Sequence, residues 1–294
     1  MSARSFSAGL LLALLWPNAP DQAARLQHLT PLTMEPVGSA LKLYPDDYGF
    51  APFVRSGGQF VLKTRTQVQV IDATSLRVLH TYPFKARVVC AVGLDGDTVV
   101  VLSGCRNSTS RTFRLWRIAS TSRRSLPVRG LPPVSWPVSF ALGDGTWFVA
   151  RGNGDVDAID LRTGNVAFHH RARLLQKAGV PYTNATWLGE HRLGLNGTVV
   201  DVRTWKRTTL ALGARNLLAA EGKIVGWGTN GITVYDDDLH LYRRIARGLP
   251  VDSVGLLDGV IYAQVGLAWD LWNVRTGRHL ATVLPDTPYL VRLL

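Results

Sequence analysis

Residues 269–284 read WDLWNVRTGRHLATVL, and residues 156–170 read VDAIDLRTGNVAFHH. In each, an apolar strand pattern runs into Asn or Asp, a short polar turn containing Thr-Gly follows, and a second strand pattern returns. Asn and Asp favour such turns because their side chains bond nearby backbone, and Gly accepts the positive φ that a tight reversal needs. The same unit recurs as VQVIDATSLRVLHTY at 67–81, FRLWRIASTSRRSLPV at 113–128, TVVDVRTWKRTTLAL at 198–212 and ITVYDDDLHLYRRIA at 232–246. The turns open at Asp72, Ala119, Asp160, Asp201, Asp236 and Asn273, with steps of 47, 41, 41, 35 and 37 residues. A period of about forty residues is that of a four-stranded propeller blade.

Each hairpin is preceded by another strand pair. The second members of these pairs are FVLKTR at 60–65, TVVVLSG at 98–104, TWFVARG at 146–152, HRLGLNG at 191–197, KIVGWG at 223–228 and VIYAQVG at 260–266. Mostly Gly-rich turns lead into them. Four short strands per forty residues predict an all-β fold, a β-propeller of four-stranded blades. Six blades are visible. TPYLVRLL at 287–294 reads as an inner strand and VGSALKLYP at 37–45 as an outer one. Joined, they close the ring as a seventh blade, so seven blades are expected, with six as the alternative. Closure removes open sheet edges, an aggregation hazard.

LWNVRTG at 271–277 and IDLRTG at 159–164 resemble the strand–turn signature of WD-repeat and quinoprotein-like (PQQ-like, YVTN-type) propellers. The resemblance spans residues from about 50 to 294, although the Gly-His dipeptide that accompanies Trp-Asp in WD repeats is absent. It implies the propeller fold. An inherited oxidoreductase activity would require inward-pointing acids and amides from several blades.

Composition agrees with strands. Of 33 basic residues 27 are Arg, and of 21 acidic residues only three are Glu. Lys and Glu, the common surface residues of helices, are scarce beside 28 Gly and 15 Pro. Coiled coils, collagen-like chains, disulfide-dense mini-domains and multi-span membrane proteins are excluded. The net charge of +12 suits polyanionic partners, although scattered Arg also serves solubility.

Arg4 and the run FSAGLLLALLW at 6–16, followed by Pro17 and small residues, read as a secretory signal cut between Ala19 and Ala24. Eleven residues are too few for a spanning helix, which needs about 20. A packed N-terminal helix or an uncleaved anchor are the alternatives. The expected organisation is an N-terminal segment, 1–24, and a single propeller domain, 25–294. The compartment is then extracytoplasmic, secreted or in the cell envelope. It permits a disulfide between Cys90 and Cys105, which flank a strand–turn–strand pattern; two separate thiols are the alternative.

Site residues come from the blade-to-blade connections, which lie beside one channel mouth in a propeller. Two are long, RGLPPVSW at 129–136 and RARLLQKAGVPYT at 171–183. Together the connections offer Lys85, Arg129, Trp136, Arg171, Arg173, Lys177, Tyr182, Arg215 and Arg247, a basic set with aromatic anchors suited to an acidic partner. Trp116, Trp147, Trp187, Trp227 and Trp272 lie on strand patterns and are expected to pack between blades. His169 and His170 point to opposite faces of a strand, poor geometry for one metal. Asp236-Asp237-Asp238 is a hairpin turn, with a calcium site as the sharper reading. Neither a catalytic residue, a metal nor a cofactor is expected. The expectation is a monomeric binding module for a protein or an acidic polymer. Nucleic acid is not an expected partner, and membrane association is expected only through an uncleaved N-terminus. The alternative is a quinoprotein-like oxidoreductase or a metal-dependent propeller hydrolase with an axial site.

Overall fold

The computed structural model describes residues 11–17, 24–31, 33–43, 54–56, 58–63, 66–84, 88–104, 113–119, 122–132, 138–152, 154–170, 184–210, 214–284 and 289–293. Among them the secondary structure is entirely β. The strands near the N-terminus are β1 (Leu11–Pro17), β2 (Ala24–Leu29) and β3 (Pro36–Leu43). Four sheets follow in chain order. The first holds β4 (Val54–Ser56), β5 (Gln59–Lys63), β6 (Gln67–Asp72) and β7 (Val78–Pro83). The second holds β8 (Val89–Asp95), β9 (Thr98–Ser103), β10 (Arg114–Ala119) and β11 (Ser122–Pro127). The third holds β12 (Val138–Gly143), β13 (Thr146–Arg151), β14 (Val156–Asp160) and β15 (Val166–His170). The fourth holds β16 (Ala185–Gly189), β17 (Arg192–Leu195), β18 (Thr198–Asp201) and β19 (Arg207–Thr209).

The fifth sheet holds β20 (Ala214–Ala220), β21 (Lys223–Gly228), β22 (Gly231–Tyr235) and β23 (Leu241–Ile245). The sixth holds β24 (Ser253–Leu257), β25 (Val260–Val265), β26 (Ala268–Asn273) and β27 (His279–Val283). The last strand, β28 (Tyr289–Leu293), completes a seventh sheet in the order β28-β1-β2-β3. The described residues therefore form seven four-stranded antiparallel sheets, the blades of a β-propeller. The chain divides into two compact units, Met1–Pro45 with Ala220–Leu294, and Asp46–Ala219.

The seventh sheet joins both chain ends, as expected. Its two edge strands are those read from the sequence. The strands between them come from residues 11–29. The apolar run read as an export signal supplies all of β1 but Pro17, and β1 pairs with β28 through Leu15↔Val291 and with β2 through Ala13↔Gln27. Periodicity does not distinguish these readings, because an unbroken apolar run suits both a signal core and a strand buried on two faces.

In the unit Asp46–Ala219 the core forms successive layers. Val99 and Val101 of β9 pack with Val61 and Ile118, whereas Val100 and Leu102 pack with Trp147 and Ile159. Trp147 and Val149 of β13 share that second layer, and Phe148 and Ala150 enter a third with Leu193 and Val200. Alternate residues of one strand thus serve opposite faces of its sheet, and both faces are covered. That is why TVVVL and WFVA are continuous apolar runs rather than alternating ones. The other unit repeats this at β25. Val260 and Tyr262 pack with Leu29, Met34 and Trp269, while Ile261 and Ala263 pack with Val225 and Ile232. Burial, with the Asp258 and Glu221 carboxylates nearby, pushes the Tyr262 hydroxyl up to about 12. The fourth strands β7, β11, β15 and β19 form sheet edges and are largely exposed.

Candidate functional site

The repeated turns acquire a common geometry. Asp160 Oδ1 accepts from the backbone N–H groups of Arg162 (3.0 Å) and Thr163 (2.7 Å) and from Thr163 Oγ1 (2.8 Å). Asp72 does the same with Thr74 and Ser75, and Asp201 accepts from the Arg203 and Thr204 N–H groups. Asn273 Oδ1 takes the N–H and hydroxyl of Thr276, each at 2.9 Å. Hydrogen bonds to the ionised form hold Asp72, Asp160 and Asp201 below the usual aspartate range. The fourth residue after each opener takes positive φ: Leu76 at 56°, Gly164 at 73°, Trp205 at 57° and Gly277 at 71°. Thr-Gly is therefore the relaxed version of this turn, and two blades keep the conformation without glycine. Asp236 Oδ1 accepts from Asp238 N (3.1 Å) and His240 N (2.8 Å), so the acidic run is built as a turn. Among the described residues no group of three or more His, Cys, Asp or Glu could hold a metal ion.

The tryptophans pack between elements. Trp116 meets Phe84 edge-on with ring centroids 5.3 Å apart, and its Nε1 donates to Ser103 Oγ at 2.9 Å. The Arg123 guanidinium lies 4.6 Å from both ring centroids, a cation–π clamp over the pair. Trp187 stacks on Phe148, and Trp147 is buried. Trp227 Nε1 donates to Asp252 O at 3.4 Å, and Trp272 meets His279 edge-on.

Of the nine proposed binding residues, Lys85, Trp136, Arg171, Arg173, Lys177 and Tyr182 lie outside the described residues. Arg129 is exposed in the connection after β11. Its backbone is pinned to the next sheet, with Arg129 N donating to Gly164 O (3.0 Å) and Val166 N donating to Arg129 O (2.9 Å). Arg247 is exposed in the connection after β23, whereas Arg215, expected in a connection, is an exposed residue of strand β20 itself, because that strand starts at Ala214. Cys90 is disulfide-bonded; Cys105 lies outside the described residues.

A charged cluster not anticipated from the sequence sits where β13 and β15 end and β14 begins. Asp157 is fully buried, with 0% of its side chain exposed. It accepts from Arg151 Nε at 2.7 Å, and His169 Nδ1 lies 2.6 Å from its other oxygen. Arg151 also donates to Pro132 O at 3.1 Å, tying the preceding connection to the cluster. The register Asp157↔His169 places the two side chains on one face. The neighbouring His170 lies on the opposite face, stacked at 4.3 Å on Trp205; burial, then the nearby Arg207, lowers its pKa. The available signal was an acid between Val156 and Ala158 in an apolar run, because a carboxylate there requires partners.

Fold and site together define a β-propeller. The chain is similar to the computationally designed Ika8 protein, with 15% identity and a TM-score of 0.56 over 81% of this chain and 74% of that one. It is also similar to BamB from Moraxella catarrhalis, a β-propeller, with 14% identity and a TM-score of 0.50 over 92% of this chain and 87% of that one. No family model and no curated protein matches the chain.

Proposed function

We propose that the chain is an extracytoplasmic binding module of the WD-repeat or quinoprotein-like superfamily, whose turn sequence it resembles. It recognises a protein or an acidic polymer through arginines in and beside its blade-to-blade connections. One observation carries this reading: Arg129, Arg215 and Arg247 are exposed and make no ion pair among the described residues, whereas Arg117, Arg151 and Arg192 are neutralised by carboxylates. Unpaired surface guanidinium groups are available for planar, bidentate capture of carboxylate or phosphate. The disulfide at Cys90 supports an oxidising compartment.

The test is a thermal-shift titration with polyglutamate and with polyphosphate at two salt concentrations. A ligand that binds only the folded state raises stability by about 2.7 kcal/mol at a hundredfold excess over its Kd. A salt-sensitive shift that is lost on charge reversal at Arg129, Arg215 and Arg247, or at Arg171 and Arg173, is the expected result. Unchanged binding by both folded variants would overturn the assignment.

A further inference from the structure

Three leucines are exposed in or beside connections between strands of the unit Met1–Pro45 with Ala220–Leu294. Leu249 is 38% exposed, Leu267 63% and Leu284 71%. Hydrogen bonds and strand register place their backbones in neighbouring connections. The connection carrying Leu249 is tied down by Val251 N to Gly228 O and Asp252 N to Gln264 O, each 2.9 Å. Asp252 Oδ2 then accepts from Gly266 N at 3.2 Å, immediately before Leu267. Leu284 directly follows Val283, which pairs with Trp269, two residues after Leu267. Arg244 and Arg247 stand exposed in the same stretch of chain as Leu249 and make no ion pair among the described residues.

Single exposed leucines on separate connections, with two cations close to Leu249, do not match a rigid partner pocket. Each protruding side chain requires a medium that closes around it, and the cations require anions at the level of the backbone. A fluid anionic lipid surface supplies both, with acyl chains for the leucines and phosphates for the arginines. The formal charge of +12 favours approach to such a surface. We infer that Leu249, Leu267 and Leu284 dock this protein on an anionic lipid bilayer, with Arg244 and Arg247 at the headgroups. The inference shares Arg247 with the proposed basic set but rests on the leucines.

The experiment is co-sedimentation of the full chain with vesicles of equal parts phosphatidylcholine and phosphatidylglycerol, and with phosphatidylcholine alone. Wild type should bind the anionic vesicles at least tenfold more tightly, and the preference should shrink at high salt. L249S/L267S/L284S should lose at least tenfold in vesicle affinity while keeping its Tm and its polyglutamate binding. If the triple variant is unfolded, L267S/L284S at the two most exposed positions makes the same comparison. Equal vesicle binding by wild type and a folded leucine variant would overturn the inference, as would absence of wild-type binding. A leucine-dependent dimer in analytical ultracentrifugation, without vesicle binding, would assign the patch to a second copy and overturn it too. Loss of polymer binding alone would remove only the basic-set reading.

Discussion

The indole of Trp187 occupies the space above Gly143 where a side chain would otherwise begin. A Cβ at residue 143 would lie 2.0 Å from Trp187 Cδ2, and the same ring stacks on Phe148 with centroids 5.5 Å apart and planes 6° from parallel. Gly143 and Phe148 share one face of the third sheet, since Ala141 pairs with Phe148 and Gly143 lies two residues on. Trp187 belongs to β16, so the glycine is the socket for the adjoining sheet of the same unit. The same arrangement recurs at Gly93, where a Cβ would meet Leu142 at 2.3 Å.

Gly143→Ala should therefore destabilise the protein by overpacking, by about 1–3 kcal/mol. Urea unfolding should show a lower midpoint, and tryptophan emission should change in the native baseline. An unchanged midpoint would show that the indole can move aside without loss.

The turn aspartates predict acid sensitivity. Asp72, Asp160 and Asp201 titrate below the ordinary 3.8, because their ionised carboxylates accept turn hydrogen bonds. A folded pKa below the unfolded one gives stability that is fully present above about pH 4 and is lost as pH falls through the folded value. Tm should be flat with respect to these groups above that pH and decline below it. In the D72N/D160N/D201N variant the decline should be shallower, since Asn273 already serves the sixth sheet without titrating. Superimposable profiles would locate the acid sensitivity elsewhere.

Asp157→Ala should cost about 3–5 kcal/mol, because it strands the Arg151 guanidinium in a largely buried position. Replacing Arg151 and Asp157 together by Met and Leu should recover most of that loss. Chemical denaturation of the two variants separates a costly orphaned charge from a costly cavity.

A chain starting at residue 25 lacks β1 and leaves β2 and β28 without their shared neighbour. It should melt at lower temperature than the full chain and aggregate sooner, since unpaired strand edges template association. Intact mass of the protein isolated from cells, measured beside both melts, shows which chain the cell keeps. Equal Tm values would mean that β1 contributes nothing to the fold.

Cys90 is bonded, and Cys105 is the other cysteine of the sequence. With these two joined, the closed loop is about 15 residues, for which the chain-entropy account gives about 3 kcal/mol. C90S/C105S should lose a stabilisation of that order. A monomer mass under non-reducing conditions checks that the bond lies within one chain.

Six blades, the strand order within them and the turn chemistry were legible from residues alone, because each depends on local signals repeated along the chain; the seventh was read only from its two edge strands. Asp or Asn opening a turn, Thr or Ser three residues on, and continuous apolar second strands all act within a few residues. The Asp236 turn, an alternative ligand site in the sequence, resolves once its backbone donors are seen. Tertiary structure alone showed that Leu11–Pro17 pairs with both β2 and β28, since an unbroken apolar run has no period that names its partners. It also decided that Arg151, Asp157 and His169 meet, which depends on the register of three strands. A one-residue slip would move Asp157 to the other face. Exposure of Leu249, Leu267 and Leu284 is likewise a property of neighbouring turns, because a leucine's surroundings are set by what folds against it.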